Sequence, residues 1–272
     1  MGVSVPGDVV VALRTAGCVF AEDEAALLLE AAAGDQARLA ALVAQRVAGT
    51  PLEYLLGWVE FRGLRIGVRP GVFVPRQRTA FMVEQALATV APGNQQVCVV
   101  DLCCGCGALG LTAATELTAR GHTVELAAAD IDPVAVACAR ENLAPLHAPV
   151  FAGDLFDALP RDLRGRIEVL LANTPYVPSD RVAEMPPEAR EHEPLVALDG
   201  GTDGLAVFRR VAADAADWLA PGGTVAVEVS TGQLDSARAI LSGHGLPTRV
   251  AESAEHYATV VLGTKPLRAV HH

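Results

Sequence analysis

Two hydrophobic periods divide the chain. Over its first fifty or so residues the apolar positions recur at helical spacing. Asp8 is placed to cap a helix carrying Val9, Leu13 and Ala16, and a second helix is expected over residues 25–33, stopped by Gly34. Asp35 then caps a third, whose Leu39, Leu42, Val43 and Val47 lie on one face before Gly49 and Pro51 end it. Around Trp58-Val-Glu-Phe61 and Leu64-Arg-Ile-Gly-Val68 the period becomes two, with Arg62-Gly63 between, which predicts a hairpin, and residues 79–90 read as a further helix. From Val97 onward strand, loop and helix alternate. Strands are expected over 97–101, 124–129, 149–152, 167–172, 224–229 and 257–262, and helices over 108–119 and 133–142. A helix capped by Thr202 carries Leu205, Phe208, Val211, Ala212, Ala215 and Leu219, and another ends near Ser242. This alternation is the signature of a doubly wound, Rossmann-like α/β domain. The expected division is a small N-terminal helical domain over 1–57, a hairpin linker over 58–78 and the doubly wound domain over 79–272.

The strand over 167–172 runs into Asn173-Thr174-Pro175-Tyr176. Open α/β sheets bind ligands at the carboxyl ends of their strands. There an Asn side chain can both accept and donate, the Thr174 carbonyl can accept, Pro175 stiffens the turn and the Tyr176 ring offers a flat wall. Such a site suits a planar amide or amine. A plain Asn-x-Pro turn ending a strand has the same composition, so the tetrapeptide gains meaning only from its surroundings. The connection over 177–201 leaves directly from it, holds Pro178, Pro186, Pro187 and Pro194 and shows no apolar period, and is expected to be a substrate-side loop.

Gly105-Cys-Gly107-Ala-Leu-Gly110 matches the G-x-G-x-x-G nucleotide fingerprint, which by itself does not name the cofactor. Asp101, ending the strand before the loop, would repel a pyrophosphate and favour the ammonium of an amino-acid moiety. That points to S-adenosylmethionine, with Asp130 accepting from ribose hydroxyls, Asp154 accepting from the adenine amino group and Leu155 packing on the ring. Any one of these acids could instead cap a helix; three at successive strand ends beside a glycine loop form a pattern.

Composition narrows the class. With 51% hydrophobic and 19% charged residues the chain is no disordered tail, and its net charge of −11 argues against direct binding of a nucleic-acid backbone. Met1-Gly-Val-Ser-Val-Pro-Gly-Asp8 lacks the basic region and apolar run of a leader, and no stretch reaches the roughly 18 apolar residues of a membrane span, so a cytoplasmic protein with no membrane partner is expected. Cys103, Cys104 and Cys106 crowd together without a fourth ligand at recognisable spacing, and read as small-residue packing with no metal.

In order, Asp101-Leu-Cys-Cys-Gly105-Cys-Gly107, Ala-Asp130-Ile-Asp-Pro, Gly153-Asp-Leu-Phe156 and Asn173-Thr-Pro-Tyr176 resemble the HemK/PrmC family of protein-glutamine amide N-methyltransferases. The resemblance continues through Arg190-Glu-His-Glu-Pro194, Ala197-Leu-Asp-Gly-Gly201, Asp203-Gly-Leu205 and Pro221-Gly-Gly223, and back to Gly49-Thr-Pro-Leu-Glu-Tyr54, Gly57 and Val74-Pro-Arg76. It implies an S-adenosylmethionine-dependent methyltransferase fold with a helical substrate-recognition domain. It also implies methylation of a glutamine side-chain amide in a protein, typically the Gly-Gly-Gln motif of a peptide chain release factor, with a ribosomal protein as another candidate. On that basis Asn173, Thr174, Pro175 and Tyr176 form the catalytic set. Asp101, Cys103, Gly105, Gly107, Asp130, Asp154, Leu155 and Asn173 form the cofactor set. Three departures mark a diverged paralogue: N-T-P-Y replaces the family's N-P-P-Y, Cys103 stands at the first loop glycine, and Pro75-Arg-Gln-Arg-Thr-Ala80 replaces Pro-Arg-Pro-Glu-Thr-Glu. Rival readings are methylation of a small molecule or of nucleic-acid adenine, a nicotinamide oxidoreductase, and a binding protein that has kept the fold.

Overall fold

The computed structural model describes residues 7–93 and 95–267. The reading of Met1 to Pro6 as leader-free therefore lies outside the described residues. Helices α1 (Gly7–Thr15), α2 (Ala21–Ala32) and α3 (Gln36–Val47) enclose a small core of Leu13, Ala21, Ala25, Leu28, Leu39 and Leu42. Asp35 caps α3 as expected, its carboxylate accepting from the Ala37 and Arg38 amides at 2.9 and 3.0 Å. Asp8 does not cap α1: it sits inside the first turn, where its charge still favours the positive end of the helix dipole. A short helix α4 (Leu52–Leu56), closed by Gly57 in the left-handed conformation, leads into the hairpin of β1 (Trp58–Phe61) and β2 (Leu64–Gly67).

Beyond α5 (Ala80–Leu87), reached through a 3-10 turn over Gln77–Thr79, the chain builds one seven-stranded sheet. Its members are β3 (Gln96–Leu102), β4 (Thr123–Asp130), β5 (Val150–Ala152), β6 (Ile167–Ala172), β7 (Leu219–Val229), β8 (Thr248–Ser253) and β9 (Ala258–Thr264), in spatial order β5-β4-β3-β6-β7-β9-β8. The first five strands run parallel, and β9 pairs antiparallel with both β7 and β8. Helices α6 (Ala108–Ala119) and α7 (Pro133–Leu143) cover one face with α5, and α9 (Ala206–Trp218) and α10 (Leu234–Gly243) cover the other. The strands alternate accordingly: Val97 and Val99 of β3 join the first layer, while Cys98, Val100 and Leu102 join the second. Burial on both faces is why these strands read as continuous apolar runs.

The connection over 177–201 is not the structureless loop its prolines suggested. It contains a 3-10 turn over Ser179–Glu184, helix α8 (Pro187–His192) with proline at its first position, and a second 3-10 turn over Leu195–Ala197. Its ends are pinned together, the Val177 amide donating to Leu198 and the Gly200 amide to Val177. Thr202 does not cap α9. That helix begins after Leu205, whose amide donates to the Asp203 carboxylate at 3.1 Å.

The hairpin packs Val59, Phe61 and Ile66 into the first layer, Arg62 at its turn pairs with Glu116 of α6, and a side chain at the end of α7 adds a polar link. Asn142 accepts from the Gly67 amide at 3.0 Å and donates to the carbonyls of Gly67 and Cys106, both at 2.8 Å. Asn142→Ala removes three hydrogen bonds to backbone groups at once and should lower unfolding stability by about 1–3 kcal/mol. Urea titration checks this, and a loss below about 0.5 kcal/mol, the scale of an ordinary surface change, would show that the hairpin does not depend on this link.

Candidate active site

Parallel pairing brings Leu102 level with Ala129 on one side and Ala172 on the other. The chain thus leaves three adjacent strands at one height, as Cys103, Asp130 and Asn173. After β3 it turns through Cys103, Gly105 and Gly107, all at positive φ, with the Cys104 amide donating to Ala129 and the Gly107 amide to Cys104. Gly110 lets α6 approach closely, since a Cβ there would come within 3.1 Å of the Asp101 side chain. Cys103 accepts the left-handed conformation at some strain, since it carries a Cβ. Burial holds the thiols of Cys103, Cys104 and Cys106 well above their usual range. Cys104 and Cys106 pack into the core, in keeping with a packing role.

A cavity of about 220 Å³ opens over these strand ends. Cys103, Gly105, Asp130, Asp154, Leu155, Asn173, Thr174, Pro175 and Tyr176 all line it, so nine of the residues singled out in the sequence converge. Gly107 and Asp101 do not line it. Gly107 sits one step back, at the N-terminus of α6. Asp101 lies one layer behind the cavity wall. It is 1% exposed beneath the loop, one oxygen accepting from the Gly110 amide at 2.8 Å and the other without a partner among the described residues. Burial, with the charge of Asp130 added, pushes its carboxyl up to about 8. Through its bond to the Gly110 amide, Asp101 anchors α6 to β3.

Asp130 shapes the loop from the other side. Its two oxygens accept from the amides of Gly105 at 2.8 Å and Asp132 at 2.9 Å, and burial raises its carboxyl. Asp154 reaches the cavity edge, where it pairs with Arg210 at 2.7 Å, and Leu155 beside it takes a positive φ. On the cavity wall the Asn173 side-chain oxygen is buried and has no hydrogen-bond partner among the described residues. The Tyr176 carbonyl accepts from Gln233 at 2.9 Å, and the phenol meets Arg78 and, at 3.3 Å, Glu228.

Several lining residues were not among the expected site residues. Phe73, Arg76 and Arg78, in the segment after the hairpin, form a wall, and the connection adds Met185, Val196 and Leu198. That wall is braced from below. Glu193, buried, accepts from the Val74 amide at 3.2 Å and from Arg76 at 2.5 Å, and the Tyr54 hydroxyl donates to the Val72 carbonyl at 2.7 Å. Gln233 carried a signal that went unused: Ser230-Thr-Gly-Gln233 is a capping box, and its Gln side chain also donates to the carbonyls of Tyr176 and Asp203. Glu228 lies inside an apolar strand and carried none.

The methyltransferase small domain family matches residues 64–185. The chain is 40% identical to the release factor glutamine methyltransferase of Mycolicibacterium smegmatis over 69% of its own length and 64% of that relative's, so it spans a little under two thirds of that protein. The corresponding enzymes of Geobacter sulfurreducens (36% identity, 75% of this chain and 69% of the relative) and Agrobacterium fabrum (34%, 78% and 73%) are covered more fully. Among solved structures, the catalytic domain of hMettl16 in complex with the MAT2A 3′UTR hairpin 6 superposes with a TM-score of 0.58 at 15% identity, covering 85% of this chain and 84% of that one. A methyltransferase from Pyrococcus furiosus gives 0.52 at 18%, covering 76% and 91%. At such identities the likeness concerns the fold.

The position of Asp101 has a measurable consequence. A carboxyl whose pKa rises from about 3.9 in the unfolded chain to about 8 in the folded one favours folding most at low pH. That contribution is lost progressively as pH climbs towards 8. Asp101→Asn removes the titration while keeping an acceptor for Gly110. The difference in thermal midpoint between variant and wild type should therefore move in favour of the variant from pH 5 to 8. A constant difference across that range would mean the carboxyl titrates normally.

Proposed function

Because the chain belongs to the family of release factor glutamine methyltransferases, we propose that it transfers the methyl group of S-adenosylmethionine to the side-chain amide nitrogen of a glutamine in a protein. The observation that carries this reading is the buried, unpartnered carbonyl oxygen of Asn173 at the cavity wall. A buried acceptor left unsatisfied costs about 1–3 kcal/mol, a cost that an incoming N–H group removes.

The residues present fit the cofactor. Asp130 offers remaining lone pairs to ribose hydroxyls, Leu155 an apolar face to the adenine, and Asp154 an acceptor at the cavity edge. The turn through Cys103 and Gly105 lets backbone come close without bulk. Asp101 supports this surface from below through Gly110. When bound, S-adenosylmethionine supplies an electrophilic methyl on a sulfonium.

An amide nitrogen is a weak nucleophile because its lone pair is shared with the carbonyl. With its two N–H groups held by the Asn173 side-chain oxygen and the Thr174 backbone carbonyl, that lone pair can be aimed at the methyl carbon. Transfer requires the reacting atoms about 3–3.5 Å apart and aligned. The Tyr176 ring walls the amide plane, and Pro175 keeps the turn rigid. The nitrogen gains one bond to carbon as the methyl–sulfur bond breaks, its electron pair staying on sulfur as a neutral thioether. The nitrogen then sheds one proton to water, so no dedicated base is required.

A glutamine presented on a protein needs docking surface outside the pocket. We assign that role to the helical region of residues 1–57 together with the connection over 177–201, a division in which 58–78 links recognition to the methyltransferase unit over 79–272. Arg46 of α3 joins the two recognition elements, pairing with Glu24 at 2.6 Å and with Glu188 of α8 at 3.5 Å. The substrate favoured by kinship is a release factor met in the cytoplasm, with a ribosomal protein as the alternative.

Asn173→Ala should largely preserve cofactor affinity while turnover falls by roughly 10²–10³, the scale for loss of an oriented polar contact in the transition state. Calorimetry and single-turnover methyl transfer measure the two separately, and wild-type turnover would rule out the amide clamp. Asp130→Ala should instead weaken S-adenosylmethionine binding by about 1.5–3 kcal/mol. Unchanged affinity in a folded variant would remove Asp130 from the cofactor site.

A further inference from the structure

Tyr176 is held at both ends. Its carbonyl accepts from Gln233, and its phenol sits in a cluster with Arg78 and Glu228. Three separate stretches supply this cluster: the 3-10 turn before α5, the turn after β6 and the last residues of β7. Glu228, on β7, pairs with Val260 of β9, two residues past the last pair of β7 with β6, and is 3% exposed. One of its oxygens accepts from Arg78 Nε at 2.8 Å and from the Tyr176 hydroxyl at 3.3 Å; the other has no partner among the described residues. Arg78 Nη2 donates to the same hydroxyl, and the guanidinium carbon lies 5.9 Å from the ring centroid.

A half-satisfied carboxylate inside a sheet is an expensive way to stabilise a fold, because apolar packing of similar volume serves as well or better. What the cluster does achieve is geometric. The phenol oxygen is donor to Glu228 and acceptor from Arg78, so both its directions are fixed, and with the carbonyl also fixed the ring plane has little freedom. Arg78 and Tyr176 line the cavity while Glu228 lies behind it. The couple therefore acts on the acceptor side without reaching the reacting atoms.

We propose that Arg78 and Glu228 are positioning residues that set the Tyr176 ring as the wall against which the acceptor amide is aligned. This rests on the amide-acceptor reading above. Loss of either partner lets the ring turn, and misplacement on the scale of an ångström costs up to about 10²-fold in rate.

The test is a double-substitution cycle in the full-length protein, read as turnover on a Gly-Gly-Gln peptide and on a release factor. Arg78→Met and Tyr176→Phe should each lower kcat by roughly ten- to a hundred-fold. The combined variant should be no worse than the poorer single one, because both remove the same constraint. Arg78→Lys should recover part of the loss. The second readout is the ¹⁹F resonance of 3-fluorotyrosine at position 176, identified by its disappearance in Tyr176→Phe. It should shift in both Arg78→Met and Glu228→Gln; should Glu228→Gln not fold, the arginine cycle decides alone. Multiplicative losses in the combined variant, or an unmoved resonance in Arg78→Met, would overturn the proposal while leaving the amide reading intact. Wild-type protein that methylates no glutamine amide would overturn both.

Discussion

The register of β3 between β4 and β6 is the constraint from which the site follows. Leu102 pairs with Ala129 and with Ala172, so the glycine loop, Asp130 and Asn173 emerge side by side. A slip of one residue would exchange the two faces of β3, turning Val97 and Val99 into the layer now filled by Cys98, Val100 and Leu102. Both layers are packed, so neither tolerates the exchange. From β3 the chain moves outward to β4 and β5, then returns to the other side for β6. The loops above diverge at that reversal, and the cavity lies in the crevice between them.

What surrounds the crevice is assembled from parts far apart in sequence and held by polar side chains. Tyr54 fixes Val72, Glu193 fixes Val74 and Arg76, and Asn142 fixes Gly67 to the carbonyl of Cys106 in the glycine loop. Arg46, mostly buried, ties α2 and α3 to α8. The helical region is thus coupled to the connection that borders the cavity.

Legibility followed burial. The limits of α6 and β6 were readable to the residue, because an apolar run bounded by glycine, or by Asn-x-Pro, has little freedom in where it stops. β8 was not, since it is an edge strand with no fully buried position in Thr248–Ser253 and so shows no two-residue period. Helices α4 and α8, of five and six residues, are too short for a helical period to register. At the site the sequence showed which residues converge but not how deep each lies. Asp101 and Asp130 both end strands, yet one is sealed under the loop and the other faces the cavity. The cluster of Arg78, Tyr176 and Glu228 joins residues up to 150 positions apart, and no local pattern announces it.

The central claim is that the buried Asn173 oxygen and its turn hold a glutamine amide for methylation. Its most direct test is tandem mass spectrometry of a release factor after incubation with the full-length protein and isotopically labelled S-adenosylmethionine. The account predicts a single labelled methyl on the side-chain nitrogen of the glutamine in Gly-Gly-Gln, absent when Asn173→Ala is used. Label on a different residue type, or label that persists unchanged with Asn173→Ala, would contradict it.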